Sequence, residues 1–247
     1  MNIPRGWKWV IVGLLFILLV GLLGVIAWQA TATGDAFLVS RTGRLAAKLV
    51  LVAVSLGAWF ATQSLIGGRG EHEGKIGDLL HELTAPWNTW LQNHTGPTNA
   101  LLIVSSAIID LFALFLIGAG ILGPTLRPFI GLLILFAFRQ LCQALCALPV
   151  PAGMIWRYPG FPSLLVTYGV SNDFFISGHT AIAVLGAIEV GHLLPPGWGI
   201  VVGLVALSEA GLVIVLRAHY TMDVLAALVA AFCAAGLAGY VCQALGV

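Results

Sequence analysis

The sequence predicts an all-α, polytopic transmembrane bundle: a six-helix core, one further span at the N-terminus, and an amphipathic helix lying along the interface. Three observations carry that prediction. Of 247 residues, 60% are hydrophobic and only 9% charged, whereas a soluble domain carries roughly 25% charged residues. Seven apolar stretches come close to the ~20 residues that cross a bilayer as a helix. Between the second and third of them, apolar residues keep a helical period against a polar face. So much apolar surface exceeds what one globular core hides, and lipid must cover the rest. The chain is therefore expected to be integral to a membrane and multi-pass.

The first stretch, 9–28, follows Arg5 and Lys8. It is longer than the apolar core of an ordinary signal peptide, so it reads as a retained span despite the small-residue run Ala30-Thr31-Ala32. The remaining spans are expected at 45–66, 99–122, 126–148, 177–194, 198–217 and 220–243. In the connection 67–98, Ile76, Leu79, Leu80, Leu83, Trp87, Trp90 and Leu91 recur at helical spacing opposite Lys75, Asp78 and Glu82. That pattern predicts an interfacial helix with its tryptophans at headgroup level and a kink at Pro86. The connection 149–176 holds Pro149, Pro151, Pro159 and Pro162 with several glycines, and reads as a stiff irregular loop. No repeat or composition break divides the chain, so residues 1–247 read as a single membrane domain with its core over 45–243.

Composition also excludes partners. A net charge of +1 with no long basic block argues against nucleic acid. Cys142, Cys146, Cys233 and Cys242 lie in apolar runs and read as small buried hydrophobes. The aspartates at 35, 78, 110, 173 and 223 are scattered, unlike the clustered ligands of a metal-dependent transferase. No metal and no other cofactor is expected.

Ionisable residues are costly inside a bilayer and face a polar interior when they occur. Asp110, Arg139, Glu189 and Glu209 lie in or near the spans, and His179, His219 and Asp223 lie at span ends. His179 opens one span and His219 follows the next, forty residues on, with Pro195-Pro196-Gly197 as the turn between them. Two antiparallel helices return the chain to its starting face, so both imidazoles are expected at one depth on one side. Asp223 is one helical turn beyond His219, where its carboxylate can accept from one ring nitrogen, set the tautomer and leave the other free to attack.

Ser177 is a natural helix N-cap, and Gly178 lets a ligand approach the backbone. Free N–H groups at that helix start favour a phosphate. Arg139, Arg157 and Arg217, in that order, are the candidate forks for its oxygens. Glu209, about 15 Å from His219 along a helix, suits packing or a proton network. Glu189 and His192 are expected near the opposite interface, and His72, His81 and His94 in solvent.

Asn172-Asp173-Phe174-Phe175-Ile176-Ser177-Gly178-His179-Thr180 and His219-Tyr220-Thr221-Met222-Asp223-Val224 resemble the two signature boxes of sphingomyelin synthases. They are also similar to those of plant-type phosphatidylcholine:diacylglycerol cholinephosphotransferases. Arg139 followed by Leu148-Pro149-Val150-Pro151 resembles the same group's upstream box. All belong to the type-2 phosphatidic acid phosphatase superfamily, and the resemblance covers about 99–243. It departs from the phosphatases at Gly120, Ile176 and Val213, where those carry Lys, Pro and Arg. Arg217 before the second histidine is closer to the plant-type pattern.

The resemblance implies a phosphohistidine mechanism. His219 would attack phosphorus, Asp223 would orient it, and His179 would protonate the departing alkoxide and then deprotonate the acceptor hydroxyl. Arg139, Ser177, Gly178, Arg157 and Arg217 would hold phosphate, with Asp173, Thr180, Tyr220 and Asp110 in support. The implied partners are membrane lipids: a phospholipid donor of a phosphocholine-like headgroup and a diacylglycerol acceptor. Water as acceptor would make the same centre a lipid phosphate phosphatase. A channel or transporter is the non-enzymatic alternative, and homo-oligomerisation is left open.

Overall fold

The computed structural model describes residues 41–67, 74–168 and 174–246. The expected span at 9–28, together with His72 and Asp173, lies outside the described residues. Every regular element among the described residues is helical: α1 Arg41–Gly67, α2 Leu79–Leu83, α3 Ala85–Asn93, α4 Thr95–Leu122, α5 Arg127–Leu145, α6 Gly178–Leu193, α7 Pro196–Val215 and α8 Thr221–Leu245. The six long helices match the six core spans within a few residues at each end. Five of them, α1, α4, α5, α7 and α8, are long and apolar enough to cross a membrane. The chain is a multi-pass helical membrane protein.

The exception is α6. It has 16 residues, about 24 Å at the usual rise, which falls short of a ~30 Å hydrocarbon core. Its environment explains why it tolerates that length. It packs against α4, α5, α7 and α8, and nearly every side chain from His179 to Val190 is buried. Protein, not lipid, surrounds it. Gly186 makes one of those contacts possible, because a Cβ there would stand 2.4 Å from Phe112 Cδ1.

The outer helices reverse the pattern of a soluble protein. On α8, Ala227, Ala231, Ala234 and Ala238 face inward and are almost fully buried, while Leu225, Val229, Phe232 and Tyr240 face outward. Lipid solvates large apolar groups as well as a core does, so packing favours small residues that let backbones approach.

The interfacial element differs from the single kinked helix expected over 67–98. It is two short helices, α2 and α3, divided at Thr84. Pro86 sits in the first turn of α3, where its missing N–H costs nothing. Leu79, Leu83 and Trp87 still point outward, at 65–68% exposure. The opposite face, with His81, Asn88 and Leu91, is buried.

Candidate active site

An open cavity lies at the end of the bundle where α6 and α8 begin. Arg139, Gly178, His179 and His219 line it, with Gln63, Trp59, Phe136 and Trp156 among its other walls. Residues 139, 179 and 219 come from three separate stretches of chain, and only the fold joins them.

Each is held differently. Ser177 caps α6: its Oγ accepts from the Thr180 amide at 3.3 Å and lies 3.0 Å from the Thr180 hydroxyl. Both residues are fully buried and lie outside the cavity lining. Their bonds fix the helix start. The cap leaves His179 on the first turn of α6. Its ring meets Trp156 edge to face at 5.0 Å, and its buried Nε2 has no hydrogen-bond partner among the described residues. Trp156 is fixed in turn by its indole N–H, which donates to the Thr167 carbonyl at 3.0 Å.

Arg139 is buried beside that helix start. Its Nε donates to the Ile176 carbonyl at 3.1 Å, and Nη1 donates to the Gln63 and Gln143 side-chain carbonyls at 3.2 Å each. A Cβ at position 178 would stand 3.2 Å from Arg139 Nε. Gly178 therefore admits the guanidinium against the helix start. This brings a fixed positive charge to the end of α6 already rich in N–H donors.

His219 sits in the irregular turn between α7 and α8. Its Nδ1 lies 2.8 Å from the Phe174 carbonyl. A carbonyl only accepts, so Nδ1 carries the proton and Nε2 keeps the lone pair. Asp223 is the acceptor expected for this ring. The Asp223 Oδ2 accepts the Tyr220 backbone N–H at 2.8 Å, as part of the α8 cap, and is 3.8 Å from His219 Nδ1. Asp223 thus stands beside the imidazole as a nearby charge, and the Phe174 carbonyl is the acceptor within hydrogen-bond reach of Nδ1.

Other expected site residues stand elsewhere. Arg217 adopts φ +54°, rare for a residue with a side chain. Its guanidinium donates to the Ala152 carbonyl at 2.5 Å and the His81 carbonyl at 3.2 Å, outside the cavity lining. It braces the turn. Arg157 is exposed and also outside the lining. Tyr220 donates its hydroxyl to the Pro149 carbonyl at 3.2 Å. Asp110 does not meet Arg139: its carboxylate accepts from Ser163 Oγ, Leu164 N and Leu165 N at 2.9–3.0 Å. It anchors the loop whose Leu165, Val166 and Thr167 wall the cavity.

Glu189 is buried and paired with Arg127 at 3.3 Å, and Glu209 accepts from Ser105 Oγ at 2.6 Å. Both serve helix packing. His94 is exposed as expected, but His81 is buried and bonded to the His219 carbonyl. Asp78, an N-cap of α2, also accepts from the Thr221 amide and hydroxyl at 2.6 Å each. Burial alone would raise the Asp78 carboxyl, but the bonds from Thr221 and the His81 amide outweigh it. They hold it below the ordinary carboxylate range. Sequence reasoning missed Phe174, Trp156 and His81. Only His81 carried a signal, as a polar residue on the inner face of an amphipathic segment.

A multi-pass bundle that gathers two histidines, an arginine and a helix start around one open cavity defines a membrane protein with an enzyme-like centre. The family model described as AtPDCT1/2 matches residues 77–240, well over half of the chain and all of this centre apart from the α1 wall. The chain belongs to that family, which is phosphatidylcholine:diacylglycerol cholinephosphotransferase-like, and is an enzyme acting on lipids. Searches of curated proteins and of solved structures find no match.

Proposed function

We propose that the protein transfers a phosphocholine-like headgroup from a phospholipid to diacylglycerol through a phosphohistidine on His219. The observation that carries the reading is the shared cavity: His179 and His219, forty residues apart, line one space with Arg139 and the start of α6. The family membership supports the same chemistry.

His219 Nε2 attacks phosphorus, forming the N–P bond as the bond to the donor's diacylglycerol oxygen breaks. His179 protonates that oxygen. In the second half His179 removes the proton from the acceptor hydroxyl, whose oxygen attacks phosphorus and frees His219. Arg139 and the N–H groups of the α6 start offset the charge on the phosphoryl oxygens. The Asp223 carboxylate stabilises the charged imidazole. Trp59, Phe136 and Trp156 give the cavity an aromatic lining suited to a quaternary ammonium.

The test uses purified protein, a headgroup-labelled phospholipid and unlabelled diacylglycerol of different acyl mass. Label in a phospholipid carrying the acceptor's acyl chains is the expected result. Label released into water would replace transfer by hydrolysis, and no turnover of either kind would overturn the enzymatic reading.

A further inference from the structure

The amphipathic segment grips the backbone that carries His219 through side chains the proposed chemistry leaves unused. His81 Nε2 lies 2.9 Å from the His219 carbonyl oxygen. That oxygen only accepts, so His81 donates through Nε2–H. The His81 ring is 7% exposed and stacks on Tyr220 at 5.5 Å. Its own carbonyl receives Arg217 Nη2, and Asp78 takes the amide and hydroxyl of Thr221. The residues two before and two after His219 are thus tied to the same segment.

The turn's own bonds are good up to residue 218 and weak at His219. Arg217, at φ +54°, and Ala218 donate their amides to the Ile214 and Val213 carbonyls at 2.9 Å each, whereas the His219 amide reaches the Val213 carbonyl only at 3.4 Å. Packing alone does not call for histidine at 81. A buried polar ring costs desolvation unless it is hydrogen-bonded, and an apolar side chain would fill the space more cheaply. What histidine adds is one directed donor, aimed at the carbonyl of the reacting residue.

We propose that His81 is a positioning residue for His219, its Nε2–H bond to the His219 carbonyl fixing where the imidazole stands in the cavity. The inference rests on the reading of His219 as nucleophile. The Phe174 carbonyl sets the ring and His81 sets the backbone beneath it, so loss of either lets Nε2 drift from the line of attack. Drift on the order of an ångström costs up to about 100-fold in rate.

Two variants of the full-length protein separate donor from packing. His81→Phe keeps an aromatic face on Tyr220 but has no donor; His81→Gln keeps an N–H donor but loses the ring. In the headgroup-transfer assay, His81→Phe is expected to lose about tenfold or more in kcat at unchanged KM, with His81→Gln within about threefold of the parent. If His81→Phe equals or outperforms His81→Gln, ring packing is what matters and the proposal is overturned. If thermal unfolding shows His81→Phe to be misfolded, His81→Gln decides alone: near-parental turnover supports the donor, and a loss of about tenfold sinks it. His219→Ala run alongside keeps the two readings apart. Its inactivity leaves the nucleophile in place whatever His81 does, whereas its retained turnover removes the premise for both.

Discussion

His179 and His219 line the same cavity and are held in opposite ways. His179 rides on the first turn of a capped helix, and its ring stands edge to face with Trp156, with Nε2 lacking a partner among the described residues. His219 lies in an irregular turn, yet its ring, its carbonyl and its neighbours are all hydrogen-bonded. The contrast fits the two tasks proposed. A nucleophile must meet phosphorus in line and tolerates little drift. A group that carries a proton must reach two oxygens in turn, the leaving one and the attacking one, and gains from a ring held by packing. In one case a capped helix holds the backbone and Nε2 of the ring has no partner among the described residues; in the other, bonds from distant segments hold both the ring and the turn.

Three experiments test that contrast. The largest effect is expected from His219→Ala. Without the nucleophile no phosphorus label should remain on the denatured protein, and turnover should fall on the order of 10⁴-fold or more. Retained covalent label would place the nucleophile elsewhere. Next comes His179→Gln, which keeps size and hydrogen bonding but cannot carry the proton. A loss of about 10²- to 10⁴-fold is expected. Acceptors or leaving groups of lower pKa should recover part of it; no recovery would leave His179 a merely structural wall. The smallest effect is expected from Ser177→Ala. Removing the cap should cost about 1 kcal/mol, read as a lower unfolding temperature, with far less change in rate than at either histidine. A rate loss matching that of His179→Gln would mean that the α6 cap touches substrate after all.

Much of this was legible before any coordinates. Span lengths follow from the apolar runs, because a helix in lipid must satisfy its backbone internally over a known thickness. The expected 45–66, 99–122 and 220–243 accordingly became Arg41–Gly67, Thr95–Leu122 and Thr221–Leu245. The Ser177 cap was equally local, a side chain bonding an amide three residues on. The arginines are less local. By sequence Arg139 is preferred to Arg157 and Arg217, and it is the one of the three that lines the cavity, although distance along the chain from His219 would rank them the other way. Arg217, two residues away, is spent on the Ala152 and His81 carbonyls, while Arg139, eighty residues away, stands at the cavity.

Local sequence alone is enough to show that the chain crosses a membrane several times and that spans opening near 177 and 220 sit beside its two histidines. Those properties depend on short-range periodicity and on residues within a turn of one another. What each imidazole faces depends on the folded arrangement: a carbonyl from residue 174 against Nδ1 of His219, a ring from residue 156 against His179, a donor from residue 81 behind the turn. Side chain–backbone bonds between distant segments leave no periodic trace in a sequence. The acceptor is a carbonyl that every residue possesses, and only folding selects which one is in reach.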